Sequence, residues 1–272
     1  MVSRAAFYKK PKGLNMKRYK KKDDDEILIE IKELKEKRPT YGYKRITAML
    51  NRKRVARDLK KINRKRIYRI MEMNDLLLLK YPKRKKHPGT GKVMTLHSNT
   101  RWCSDGFELQ CFNGEKVYVA FSLDCKDREA IHFVARDRNL IAEDIRELME
   151  ESVLKRFEDV KTPHKIQWLT DRGTIYRAHI TRRAAGELGL LTCYTAPYSP
   201  SSNGMAESFV HTIKRDYAYM ADCKDAKTVL KMLPEWFADY NNIAPHSALK
   251  MMSPIEFRYV RRLAPLSQYN FS

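Results

Sequence analysis

Three carboxylates, Asp105, Asp171 and Glu207, are the residues of this chain best suited to chemistry. Asp105 closes Arg101-Trp-Cys-Ser-Asp105, Asp171 stands in Trp168-Leu-Thr-Asp171-Arg-Gly173, and Glu207 follows Ser202-Asn-Gly-Met-Ala206. The two aspartates end short apolar or aromatic stretches of strand type, and the glutamate falls in the first turns of a predicted helix. A cluster of acidic oxygens repels itself unless cations fill it, and hard divalent ions such as Mg²⁺ take oxygen ligands. In a strongly basic chain such a set points to metal-assisted chemistry on phosphate esters, with nucleic acid as the substrate.

The charge is unevenly placed. Of a formal net +22, residues 1–92 hold 31 Lys and Arg against 10 Asp and Glu, whereas residues 93–272 hold 24 against 23. A basic front half that neutralises several phosphates and releases their counterions binds strongly and salt-sensitively. No run of about 20 apolar residues exists to span a membrane, and Met1–Lys10 has no extended apolar segment of secretory type. Five cysteines at wide, irregular spacings favour a reducing cytoplasm without a disulfide framework. No spacing fits a structural zinc. A Ser-His-Asp hydrolase is set aside, because Ser208 lacks a glycine-rich elbow and small esters do not explain the charge.

The elements that must position these groups fall into two parts. After a basic tail (1–22), residues 23–79 read as a small helical DNA-binding domain. Its first helix runs from Asp23 to Lys37, broken at Arg38-Pro39. A second covers about 43–50, a further region carries Val55, Leu59 and Ile62, and a last helix spans Arg64 to Asn74. Short helices with tight turns and basic exteriors suit helix-turn-helix modules. Arg64, Lys65, Arg66 and Arg69 are the expected phosphate or base contacts on the last helix. A Pro-, Gly- and Lys/Arg-rich linker (80–98) follows.

Residues 99–256 read as the catalytic core and 257–272 as a tail. Strands are predicted over 102–110, 116–124 and 131–136, with Asn113-Gly114 as the hairpin turn. A helix over 141–157, a strand over 165–170, a helix over 177–188, a strand over 190–194 and a helix over 202–219 complete the pattern. That order argues for an α/β fold with a mixed sheet flanked by helices. Asp105 and Asp171 must then occupy neighbouring strands. Glu207, His211 and Lys214 share one helix face at i, i+4 and i+7, placing Lys214 to touch phosphate and His211 to touch DNA or lie beside the site. Arg172 reads as a DNA contact or an ordinary surface charge. Trp102 and Trp168 read as core packing, Asp124 as a polar strand exit and His246 as part of a structural turn.

The chain resembles the second-reading-frame proteins of bacterial insertion-sequence transposases. The motifs that carry the resemblance are Tyr41-Gly-Tyr-Lys-Arg45, Lys65-Arg-Ile-Tyr-Arg-Ile-Met71, Arg101-Trp-Cys-Ser-Asp-Gly-Phe107 and Trp168-Leu-Thr-Asp-Arg-Gly173. Ser199-Pro-Ser-Ser-Asn-Gly-Met-Ala-Glu-Ser-Phe209, Pro245-His-Ser-Ala-Leu249 and Ser253-Pro-Ile-Glu-Phe257 complete the set. The family separates its second aspartate from its glutamate by about 35 residues; here residues 172–206 intervene, and Lys214 stands seven after the glutamate where a basic residue is expected. Lys250 and Arg172 depart from a frequent glycine and asparagine.

What the resemblance implies is a ribonuclease H-like, five-stranded integrase core whose DDE triad is Asp105, Asp171 and Glu207. It implies two Mg²⁺ ions, with Mn²⁺ able to substitute, about 3.5–4 Å apart, and cleavage and joining of DNA strands at element ends. Element-end and target duplexes, a homo-multimer, and a first-frame helix-turn-helix/leucine-zipper protein or its frameshift fusion are the implied partners, in a bacterial cytoplasm. The alternatives are a nuclease of the same fold that cuts without joining, and a silent DNA-binding regulator.

Overall fold

The computed structural model describes residues 20–79, 95–195 and 203–263, and the chain forms two compact units that divide after Leu78. Most of the basic tail and most of the linker expected from the sequence lie outside the described residues.

The first unit is helical: α1 (Asp24–Lys37), α2 (Tyr43–Ala56) and α3 (Arg64–Met73). Ile27, Ile31 and Leu34 recur at helical spacing and are buried, while Ile29 faces solvent. Acidic residues in the first turn and lysines in the last favour α1 through its dipole. Asp24 is itself buried and accepts from Arg66 Nε (2.7 Å) and Arg69 Nη2 (2.6 Å), tying α1 to α3. The second helix is longer than its predicted 43–50. Asn51 does not break it, because its side chain serves both backbone groups of Ile62: Nδ2 donates to the carbonyl (3.0 Å) and Oδ1 accepts from the N–H (2.7 Å). The connection is thereby folded back, burying Ile62 but leaving Val55 and Leu59 exposed. Asn63 caps α3 by accepting from Lys65 N, and Ile67, Ile70 and Met71 close the core.

The second unit is built on β1 (Arg101–Gln110), β2 (Lys116–Asp124), β3 (Ala130–Arg136), β4 (Ile166–Thr170) and β5 (Leu190–Tyr194). The sheet order is β3-β2-β1-β4-β5: β1, β2 and β3 form an antiparallel meander, and β4 and β5 are parallel to β1. Gly114, at φ +90°, makes the first hairpin turn, where a side chain would be strained.

Helices cover both faces. On one lie α4 (Ala142–Phe157) and α6 (His179–Leu188), packed over Trp102, Ala120 and Trp168. On the other lie α7 (Gly204–Asp216) and α8 (Ala226–Asn242), packed over Cys103, Phe107, Val119 and Phe121. The helix expected over 177–188 is α6, which starts two residues later, and a single unexpected turn, α5 (Thr174–Arg177), precedes it, parted from it at Ala178, whose ψ of 146° is extended. The helix expected over 202–219 ends as α helix at Asp216 and passes into a 3₁₀ turn, Ala218–Met220. The sequence reading assigned no element to α8. Asp225 caps it through Thr228 N (2.7 Å), and Val229, Leu233, Trp236, Phe237 and Tyr240 form its buried stripe.

The last element, α9 (Pro254–Leu263), is tied to the turn after β2 by an ion pair from Arg258 to Glu129. Glu129 also meets Arg156, whose buried guanidinium reaches Asp127 (2.6 Å) and Asp124 (3.3 Å). Asp124 further accepts from the backbone N–H groups of Asn99 and Lys126. It is a strand-exit carboxylate held by Arg156. His246 packs edge-on against Tyr240 with ring centroids 4.5 Å apart, as part of a turn. No helix among the described residues is long and apolar enough to cross a membrane.

Candidate active site

Sheet register brings the two aspartates level. β1 and β4 run parallel with Trp102 opposite Trp168 and Cys103 opposite Leu169. Asp105 lies three residues beyond the first tryptophan and Asp171 three beyond the second. The pairing ends at Cys103 and Leu169, two residues short of each acid, so Asp105 and Asp171 follow neighbouring, level stretches of strand. Parity then chooses the face. Trp102 and Trp168 pack under α4 and α6, with ring centroids 6.4 Å apart. Asp105 shares the opposite side of β1 with Cys103 and Phe107, the side that α7 covers. Glu207 stands in the first turn of α7.

Asn203, just before α7, is buried, and its Nδ2 lies 3.4 Å from the Ser104 carbonyl, next to Asp105. Phe209, two residues past the glutamate, packs on Phe121 at 4.4 Å, and Phe121 is the cross-strand partner of Asp105. Helix and strand are therefore joined on both sides of the acidic group.

The electrostatics report the convergence. The Asp105 carboxyl is pushed up to about 6, first by burial and then by the negative charges of Asp171 and Glu207, although the Gly106 N–H donates to its Oδ1 at 2.8 Å. Asp171 Oδ1 accepts from Gly173 N at 2.9 Å, and a Cβ on Gly173 would stand only 3.0 Å from that same oxygen. No lysine or arginine pairs with any of the three acids among the described residues. A half-buried carboxylate raised by desolvation and by two like charges, with no cation paired to it, is suited to an oxygen-loving divalent ion. Among the described residues, however, no three His, Cys, Asp or Glu side chains stand close enough to hold one ion together. The donor set fits in kind, and the carboxylates are near enough to repel one another without standing at chelating range.

Other predicted residues are distributed unequally. Lys214 is half-buried on α7, its Nζ 5.9 Å from the Phe107 ring centre, two residues along β1 from Asp105. His211 is exposed on the same helix. Arg172 is exposed beside Asp171 and donates through Nε to the Thr195 carbonyl (3.2 Å). In the first unit Arg64 and Lys65 face solvent, whereas Arg66 and Arg69 are turned inward onto Asp24. Their guanidinium groups hold the helices together.

Sequence reasoning gave no role to Tyr176, Ser104, Asn203 or Gly173. Tyr176 is buried, shares a hydrogen bond with Ser104 Oγ (3.2 Å), and is held protonated by burial and by the nearby Asp105 and Asp171 charges. Ser104, Gly173 and Asn203 lie inside motif segments, and Tyr176 lies in none of them.

Comparison with known proteins agrees with this fold. The integrase core domain family matches residues 96–200 and again 188–254, and an HTH-like domain family matches residues 22–85. The chain is 44% identical over 247 residues to the transposase InsD of insertion element IS2A/D/F/H/I/K of Escherichia coli, covering 90% of this chain and 82% of that protein. A similar match, also 44% identical, is InsD of insertion element IS2-9 from Escherichia coli strain K12, of which 80% is covered. Among solved structures, a chain of the simian T-cell lymphotropic virus intasome, in complex with PP2A regulatory subunit B56 gamma, aligns with a TM-score of 0.53. It is 14% identical and covers 80% of this chain and 76% of that one, a likeness of fold.

Proposed function

The chain belongs to the integrase-core transposases of insertion elements, DDE-class enzymes that act on DNA, and from that premise we propose that Asp105, Asp171 and Glu207 are its catalytic triad. The observation that supports the assignment is the meeting of β1, the end of β4 and the first turn of α7, where the Asp105 carboxyl, raised first by burial, also feels the negative charges of Asp171 and Glu207. The family implies divalent-metal chemistry. The three carboxylates would hold two Mg²⁺ ions, replaceable by Mn²⁺, which supply Lewis acidity at the phosphodiester and lower the pKa of the attacking hydroxyl.

The chain's own groups do the rest. β1 and β4 hold Asp105 and Asp171 at one level, while α7 carries Glu207 over them and sets Lys214 farther along the same helix for a flanking phosphate. Gly173 gives Asp171 its rotamer, and the buried, protonated Tyr176 supports β1 from beneath through Ser104. In-line attack by water cleaves a strand; attack by a terminal 3′-hydroxyl joins one. No protein nucleophile is required. Arg64 and Lys65 on α3, with His211 and Arg172 in the core, are assigned DNA contacts, and Arg66 and Arg69 act by positioning α3. The working form we propose is a homo-multimer on two element ends in the bacterial cytoplasm, together with the first-frame helix-turn-helix/leucine-zipper product or as its frameshift fusion.

Incubating purified protein with labelled element ends, Mg²⁺ and the first-frame product tests the reading. Joined strands that disappear in Glu207→Gln support it. Nicks without joining identify a nuclease, and binding alone identifies a regulator.

A further inference from the structure

A cavity of about 430 Å³ opens one residue beyond Asp171, lined by Arg172, Thr174, Arg177, Ala178, Arg182 and Tyr194. Three of these six are arginines and none is acidic. All three arginines are exposed, and none has an ion pair among the described residues. They come from separate pieces of backbone: Arg172 follows β4, Arg177 ends α5, and Arg182 lies in α6. The floor is rigid, since Tyr194 is on β5 and Thr195 N donates to the Thr170 carbonyl at 2.9 Å. Arg172 is oriented through its Nε bond to the Thr195 carbonyl, which leaves both of its Nη groups for a ligand.

Three like charges around one hollow repel one another in the empty protein, and an anion relieves that repulsion. Guanidinium forks match the oxygens of phosphate in pairs. A phosphodiester is the anion available beside Asp171 if the chain joins DNA. We propose that this cavity is a second phosphate site, in which Arg177 and Arg182 with Arg172 grip a DNA backbone phosphate close to, but distinct from, the one presented to Asp105, Asp171 and Glu207. The inference rests on the DNA-joining reading above and extends it to residues that the triad does not include. The phosphate comes from the element end or from the target, and the two share this chemistry.

Single methylphosphonate substitutions, which remove the charge of one phosphate at a time, locate it. They are scanned along an element-end duplex and, separately, along a target duplex, with binding to the full-length chain measured without metal. The comparison is between wild type and Arg177→Gln/Arg182→Gln, whose thermal midpoint should match wild type because both side chains are exposed. At one position, neutralisation is expected to weaken wild-type binding about tenfold, the loss of a charge-assisted contact. The double variant should bind the neutralised and natural duplexes equally there. That signature on the end strand names the element end as the source, and on the target strand the target. If every position that penalises wild type penalises the variant by the same factor in both duplexes, the phosphate site is overturned while the joining assay still stands. Failure of the wild type to bind either duplex, with the first-frame product present, overturns both readings.

Discussion

Replacing Asp105 by asparagine should make the metal-free protein more stable while abolishing strand joining. The wild-type carboxyl is lifted from 3.8 to about 6 by burial and by the Asp171 and Glu207 charges. That elevation corresponds to about 3 kcal/mol of native-state destabilisation well above pH 6. An amide removes the charge yet keeps an oxygen to accept from Gly106 N. Because the amide's own burial offsets part of the gain, about 1–3 kcal/mol should be recovered. At about 2–4 °C per kcal/mol for a unit of this size, the core's midpoint should rise by about 2–12 °C at pH 7.5 in EDTA.

The sign of the pH dependence follows from proton binding. Between pH 3.8 and about 6 the native protein holds the proton more tightly than the unfolded chain, so wild-type stability falls as pH rises through that window and levels off above it. The advantage of Asp105→Asn should therefore shrink from about 3 kcal/mol at most at pH 7.5 to about 1 kcal/mol at pH 4.5. Excess Mg²⁺ should raise the wild-type midpoint and leave the variant's nearly unchanged. Paired melts at the two pH values, with and without Mg²⁺, supply all four numbers. A variant that melts at or below wild type at pH 7.5, or whose gain is the same at both pH values, refutes the reasoning.

Gly173→Ala should lower joining by about a hundredfold through displacement of the Asp171 oxygen, with little change in melting; wild-type turnover would show that the 3.0 Å approach is harmlessly absorbed. Arg156→Met leaves Asp124 and Asp127 buried without their cation, so the core should lose about 3–5 kcal/mol, read as a fall in urea midpoint. Arg258→Ala removes a half-exposed partner of Glu129, and about 1 kcal/mol or less should be lost in the same titration. Asn51→Ala removes both bonds to Ile62 and should destabilise the helical unit by about 1–3 kcal/mol, with hydrogen exchange at the Ile62 amide accelerating in proportion.

Much of the core was legible because its signals are local. Alternating apolar residues over 116–124 and the Asn113-Gly114 turn mark β2 and its hairpin, and strand parity alone puts Asp105 opposite the face of Trp102. What escaped reading depends on contacts distant in sequence. Arg66 and Arg69 look like free cations until Asp24, more than 40 residues earlier, is folded against them. Asn51 resembles a helix stop because its partner, Ile62, is invisible in a local window. The break at Ala178 that separates the turn α5 from α6 has no glycine or proline to announce it. For α8 the stripe from Val229 to Tyr240 was present, with Pro234 inside it lowering its apparent helical character. The proposed triad was chosen on motif spacing, which names the acids without their surroundings. Tyr176 and Ser104, which support them, meet only through the sheet.

The paired tryptophans act as a datum from which both aspartates are measured off. Each acid lies an odd number of steps past its indole, so deleting one residue between Trp168 and Asp171 would swing that carboxylate to the underside of the sheet. Substitutions at Leu169 and Thr170 should be forgiven far more readily than any change in their number. Drift in these enzymes is thus permitted in letters and forbidden in count along those few positions.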